Sequence, residues 1–279
     1  MRLVSYRSDR GVRAGVLEGD RVIDAGDALG DAPSSVRALL ETDALGDLEA
    51  ADGGDGVALA GIELLAPVPD PEKIVCIGLN YRDHAAEGRL EPPKVPTFFA
   101  KYANALSGDG ATVALPASSR KVDYEAEVAF IVGRTARDVD ASTALDHVAG
   151  YTLLNDLSAR DLQFQTPQWM PGKVFDGSAP CGPALVTADE VATAPNGIGI
   201  ALDLNGERMQ EATTADLIFP VAELLAHLST LMTLVPGDIV STGTPAGVGG
   251  AREPRVWLRP GDEVVVSSPE LGELRTTIA

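Results

Sequence analysis

The stretch Val122-Asp-Tyr-Glu-Ala-Glu-Val-Ala-Phe-Ile-Val132 constrains the fold more than any other segment of this chain. Polar and apolar residues alternate and then give way to a β-branched and aromatic run, the pattern of a strand whose residues at i and i+2 share a face. Glu125 and Glu127 therefore point the same way from a strand that otherwise belongs in a core. Two such carboxylates repel each other and lose hydration unless positive charge compensates them. Asp156, in Leu154-Asn-Asp-Leu-Ser-Ala-Arg-Asp161, adds a third acid. An all-carboxylate set suits a hard divalent ion, Mg²⁺, Mn²⁺ or Ca²⁺. The alternative is a solvated strand face paired with Lys or Arg.

The chain's 279 residues, 45% of them hydrophobic, suffice for a substantial core. A net charge of -19 argues against nucleic acid or an anionic membrane surface as a partner. No apolar run approaches the roughly 18 residues of a membrane span, and the start Met-Arg-Leu-Val-Ser-Tyr shows no signal pattern, so a cytoplasmic location is expected. Two cysteines, Cys76 and Cys181, exclude a disulfide framework and a Cys₄ zinc site, and both read as buried structural residues. Three histidines make a three-histidine zinc centre a poor reading.

Residues 1–65 read as a small accessory domain: short strands around Glu18-Gly-Asp, a helix over Ser34–Leu40, and a flexible link at Ala51-Asp-Gly-Gly-Asp-Gly56. Residues 66–279 form the main domain. Strands are expected at Ile74–Ile77, Thr97–Lys101, Val122–Val132, Val148–Asn155, Leu185–Thr187, Ile198–Leu204, Asp238–Thr242 and Glu263–Ser267. Asn205-Gly206 signals a hairpin. Apolar spacing of three and four after Pro220 predicts an amphipathic helix over Val221–Leu231. The fold class is α+β and β-rich.

His84 and Glu87, three apart after a strand end, share one face of a helical turn, where the carboxylate can orient the imidazole as a general base. An exposed helix pair is the plainer alternative. Lys173 sits in a loop shaped by Pro171-Gly172. Arg160 and Gln163 share a face if Ser158 begins a helix, and could bind a substrate carboxylate or carbonyl oxygen; Arg160 has Asp161 and Asp123 as alternative partners. Thr242-Gly-Thr-Pro-Ala-Gly-Val-Gly249 lacks the Gly-Lys-Ser/Thr ending of a P-loop and reads as a substrate-lining turn, with Thr244 the expected contact.

Five blocks, in order, resemble the fumarylacetoacetate hydrolase family: Gly-Leu-Asn-Tyr-Arg-Asp-His-Ala-Ala-Glu, Val-Asp-Tyr-Glu-Ala-Glu-Val-Ala-Phe-Ile-Val-Gly, Asn-Asp-Leu-Ser-Ala-Arg-Asp-Leu-Gln, Gly-Lys-Val-Phe-Asp, and Pro-Gly-Asp-Ile-Val-Ser-Thr-Gly-Thr-Pro-Ala-Gly-Val-Gly. The resemblance implies a mixed β-sandwich or roll-like core, usually in a homodimer. It also implies metal ligands Glu125, Glu127 and Asp156, a lysine beside the metal in Lys173, polar groups near the substrate in Arg160 and Gln163, and a catalytic dyad of His84 and Glu87 on a lid that orders over substrate. Thr244 and Tyr81 are further expected substrate contacts, and lid and pocket residues around Tyr81–Pro96 and Phe164–Met170 are expected to set specificity. Fumarylacetoacetate hydrolases proper carry a further aspartate seven residues before the histidine; here that position is Ile77, which points to a three-carboxylate branch.

The expected activity is metal-dependent C–C hydrolysis of a 1,3-diketo, acylpyruvate-type acid through a metal-stabilised enolate, as in aromatic catabolism. The same enolate serves a decarboxylase or an isomerase or tautomerase of a 2-oxo diacid, such as oxaloacetate or 2-hydroxyhepta-2,4-diene-1,7-dioate. A non-catalytic binding protein on the retained fold is the reading from another class. In each case the partner is a small anionic oxo acid.

Overall fold

The computed structural model describes residues 1–30, 34–51, 54–88, 91–191 and 197–279. Asp52 and Gly53 of the expected link, and Arg89 and Leu90 of the expected lid, lie outside the described residues.

The strand Ala126–Val132 is the keystone of a mixed sheet. Every residue in it is buried, so both faces are covered and the run reads as continuously apolar after Glu127. It pairs antiparallel with Val148–Asn155 on one side and with Ile239–Ser241 on the other. Ile239–Ser241 in turn runs parallel to Ile74–Gly78, whose outer neighbour is Thr97–Lys101. Beyond Val148–Asn155 come Ala179–Thr187, Arg2–Ser8, Gly11–Glu18, Arg21–Asp24 and Val57–Ala58. The amino-terminal strands thus continue the same sheet, with Arg2 opposite Val186 and Leu3 opposite Leu185. Leu3, Val36 and Leu39 share a core with Ala129, Ile131 and Leu154.

The opposite parity of the keystone strand faces two other cores. Ala126 and Val128 pack with Ile200, Leu202, Val264, Val266 and Leu274 of a five-stranded sheet. Phe130 and Val132 pack under the helix Val221–Leu231, which buries Leu224, Leu225 and Leu228 completely. Each such leucine contributes roughly 1.5–3 kcal/mol by leaving water. In the five-stranded sheet, Gly199–Leu204 and Glu207–Thr213 are joined by Asn205 (φ 52°) and Gly206 (φ 82°), the doubly positive turn that Asn-Gly tolerates. Among the described residues no helix is long and apolar enough to cross a membrane.

Two of the changes from expectation shape the site. The expected strand Val122–Val132 is two strands, Val122–Asp123 and Ala126–Val132. Its partner breaks at the matching point, where Val148–Asn155 gives way to Ser158–Ala159. The interruption follows from side-chain competition: Glu125 N donates to Asn155 Oδ1 (3.0 Å), while Glu125 O accepts from Asp156 N (2.8 Å). Ser158 begins this short strand rather than a helix; the helical turn is Arg160–Gln163.

Candidate metal centre and surrounding cavity

The break in the paired strands is where the carboxylates gather. Glu125 lies in the gap, Glu127 is the second residue of the strand that follows, and Asp156 comes directly after the partner strand. One oxygen of each lies within 4.8 Å of the others, and all three residues are buried.

Lys173 Nζ donates to Glu125 Oε2 (2.6 Å) and Asp156 Oδ2 (2.7 Å). It is held there by the turn Met170–Gly172, in which Gly172 comes so close to Ala159 that a Cβ would stand 2.5 Å from the Ala159 carbonyl oxygen. Arg160 Nη2 lies 2.7 Å from Glu125 Oε1 and 2.9 Å from Asp123 Oδ2, and its Nη1 donates to Gln163 Oε1 (3.0 Å). The alternative pairing of Arg160 with Asp123 is therefore present alongside the Glu125 contact. Burial alone would raise Glu125, but Arg160 and Lys173 outweigh it and hold the carboxyl well below its usual range. Glu127 moves the opposite way: burial, then the charges of Asp156 and Glu125, push it up. Its Oε2 accepts from Ser241 Oγ and from Gly243 N (3.0 Å), and Gly243 turns its amide inward at φ +99°.

The donor set fits a divalent cation. Lys101 Nζ stands 2.9 Å from Asp156 Oδ1, yet its protons go to Lys173 O, Ser178 O and Ser178 Oγ, so Oδ1 is buried without a hydrogen bond. A fixed acceptor lacking a donor, beside two further carboxylates, is the arrangement a hard ion satisfies.

These groups open into a cavity of about 860 Å³. His84, Glu87, Gln163, Arg160, Lys173 and Thr244 all line it with the triad. His84 Nδ1 is 3.3 Å from Glu87 Oε2, and Glu87 Oε1 accepts from Gly247 N (2.9 Å), so the imidazole is tied by its δ nitrogen to an anchored carboxylate. Phe99 and Trp169, edge to face at 5.9 Å, form an apolar wall with Ile77. Lys173 Nζ lies 4.9 Å from the Phe99 ring centroid.

Tyr81 differs from its expected place. It is fully buried and absent from the cavity wall, its backbone bridged to Leu217 and its hydroxyl without a hydrogen-bond partner. The Thr242–Gly249 turn differs too: Gly243 and Gly247 give their amides to Glu127 and Glu87, and Gly249 gives its own to Asp123 (2.7 Å). Thr244 remains at the wall, with Oγ1 accepting from Gln210 Nε2 (2.8 Å). Burial pushes the Cys181 thiol up to about 12 and raises Cys76 as well, so neither is an activated nucleophile. Sequence reasoning missed Lys101, Gln210 and Ser241, which reach the site from distant segments; Lys101 alone carried a signal, as a lysine ending an apolar strand.

The model of the fumarylacetoacetate hydrolase carboxy-terminal domain matches residues 73–279. The chain belongs to the fumarylacetoacetate hydrolase family. It is an enzyme of that family. A mitochondrial oxaloacetate tautomerase of Xenopus laevis is 43% identical over 221 residues, covering 78% of this chain and 69% of the relative. The crystal structure of 2-hydroxyhepta-2,4-diene-1,7-dioate isomerase from Mycobacterium marinum aligns with all of this chain and 98% of its own, at 31% identity and a TM-score of 0.80. Maleylpyruvate hydrolase from Sphingobium, in complex with manganese(II) and pyruvate, covers 100% and 99% at 32% identity and a TM-score of 0.82. The α+β, strand-rich fold expected from the sequence is that of these family members.

Proposed function

We propose that this enzyme moves a proton at the carbon beside the oxo group of a small dicarboxylic 2-oxo acid, interconverting tautomers of oxaloacetate or a close analogue. The observation that carries this reading over C–C hydrolysis is the 43% identity to an oxaloacetate tautomerase over most of both chains, above the 32% shared with the hydrolase. A divalent cation held by Glu125, Glu127 and Asp156 would act as a Lewis acid toward the oxygens of the oxo acid.

The chain's own residues supply the rest. Lys173 and Arg160 give the enclosed site the positive charge that an anionic acid needs inside an acidic protein. With Nδ1 engaged by Glu87, His84 keeps Nε2 to take a proton from the substrate carbon and deliver it to the enol oxygen, and to run the same transfer from oxygen to carbon in reverse. Ile77, Phe99 and Trp169 line one side of the cavity with apolar surface, which favours proton transfer between carbon and oxygen over attack by water. Hydrolysis remains the second reading, since the same His84 and Glu87 pair could activate water.

The test supplies oxaloacetate as its enol with Mg²⁺ or Mn²⁺, following enol absorbance and pyruvate release separately. Enol decay faster than the uncatalysed rate, with no pyruvate, is the expected result. No acceleration of enol decay, together with cleavage of acetylpyruvate, would replace this reading by hydrolysis.

A further inference from the structure

Five cationic side chains line the cavity: Lys121, Arg160, Lys173, Arg252 and Arg255. Three are committed. Arg160 and Lys173 pair with the carboxylates described above, and Arg252 donates to Gly247 O (3.1 Å) and Met209 O (2.6 Å). The side chains of Lys121 and Arg255 make no hydrogen bond or ion pair among the described residues. The charge of Lys121 is felt by Asp161, but that carboxylate is already satisfied by Ser119 Oγ (2.5 Å) and Arg120 N (2.9 Å). In a chain where 41 acids face 22 lysines and arginines, two uncommitted cations on one cavity wall call for an anionic occupant.

Their backbones are fixed. Lys121 O accepts from Arg160 N (2.9 Å), which ties it to the helical turn bearing Arg160 and Gln163. Val256 N donates to Gly249 O (3.0 Å) and Leu258 N to Val122 O (2.9 Å), so the segment carrying Arg255 and Trp257 is anchored beside Lys121. Both cations are exposed, whereas Lys173 is buried, so positive charge extends from the floor of the cavity to its rim. Glu253, also at the wall, is the one nearby acid in that segment.

We propose that Lys121 and Arg255 form the subsite for the second carboxylate of a dicarboxylic 2-oxo acid whose oxo-acid end lies at the carboxylate cluster. This rests on the function proposed above and names the residues that select diacids over monoacids. Arg255 offers a planar fork to that carboxylate and Lys121 a point charge.

Both tryptophans of the chain, Trp169 and Trp257, line the cavity, so ligand binding is read from intrinsic fluorescence without turnover. Two matched pairs, oxaloacetate against 2-oxobutanoate and 2-oxoadipate against 2-oxohexanoate, exchange only the far carboxylate for a methyl group. With Mg²⁺ in excess, the wild type should bind at least one diacid more tightly than its partner. The Lys121→Gln/Arg255→Gln double variant should weaken that diacid about ten-fold and leave the monoacids within about two-fold. Arg259→Gln, an exposed arginine off the cavity, should change nothing. Equal binding of diacid and monoacid by the wild type, or an unaffected double variant, overturns the subsite. Discrimination in binding without catalysed enol decay would instead overturn the tautomerase reading and leave the subsite standing.

Discussion

Lys173 lies with its ammonium 2.6 Å from Glu125, in a pocket where both side chains are almost wholly removed from water. The lysine therefore compensates carboxylate charge that a cation would also compensate. Replacing it by methionine leaves Glu125 and Asp156 short of positive charge, and breaking a buried pair costs about 3–5 kcal/mol. Lys173→Met should unfold at lower temperature than wild type in chelator and recover more of the deficit when Mn²⁺ is added. Equal Mn²⁺-induced shifts in thermal unfolding for the two proteins would rule out shared compensation.

His84→Asn keeps the helix Arg82–Glu87 and removes the imidazole that Glu87 holds. Loss of a positioned acid and base lowers kcat by about 10²–10⁴. Enol decay should slow accordingly, while the Mn²⁺-induced rise in unfolding temperature stays at its wild-type value. Unchanged kcat would remove His84 from the proton transfer.

Asp24 sits far from the cavity and gives the acid limb of stability. Burial would raise its pKa, but hydrogen bonds from Arg13 Nη2 (2.5 Å) and Tyr6 OH (2.6 Å) outweigh it and hold the carboxyl well below its usual range. Its folded pKa lies under the unfolded value of about 3.9, so the unfolded chain binds more protons and stability is lost as pH falls through that region. Asp24→Asn should be less stable than wild type at pH 7, with the gap closing below about pH 4. Denaturant unfolding across that range measures it; a gap independent of pH would mean the ionised carboxylate is not what stabilises.

Gln210 reaches from the five-stranded sheet to the keystone strand. Its Oε1 accepts from Ala126 N (2.9 Å), and its Nε2 donates to Thr244 Oγ1 (2.8 Å) and Pro245 O (2.9 Å). Gln210→Met keeps the volume and strands a buried amide, which costs about 1–3 kcal/mol. Urea unfolding should show a loss of that size, whereas Gln210→Glu should restore the acceptor for Ala126 but not the donors. A loss under a few tenths of a kcal/mol would mean water replaces the glutamine.

Much of this molecule follows from local pattern. The helix Val221–Leu231, the strands Thr97–Lys101 and Val148–Asn155, and the Asn205-Gly206 hairpin lie where the spacing of apolar residues and turn chemistry put them, because each depends on neighbours a few positions away. The triad was legible for the same reason: i, i+2 geometry sets Glu125 beside Glu127, and Asp156 closes a strand of matching character. What the pattern could not reveal was the break at Glu125, where a side chain replaces a ladder hydrogen bond, or the inward burial of Tyr81. Nor could it place Lys101 against Asp156, Gln210 against Thr244, or Gly247 against Glu87, since these contacts join segments far apart in the chain. Sequence periodicity decided which residues share a face, because that is a property of the local backbone. Tertiary structure alone decided which faces meet, because the positions of Lys173, Arg160 and Glu87 depend on strands and turns converging from distant parts of the chain.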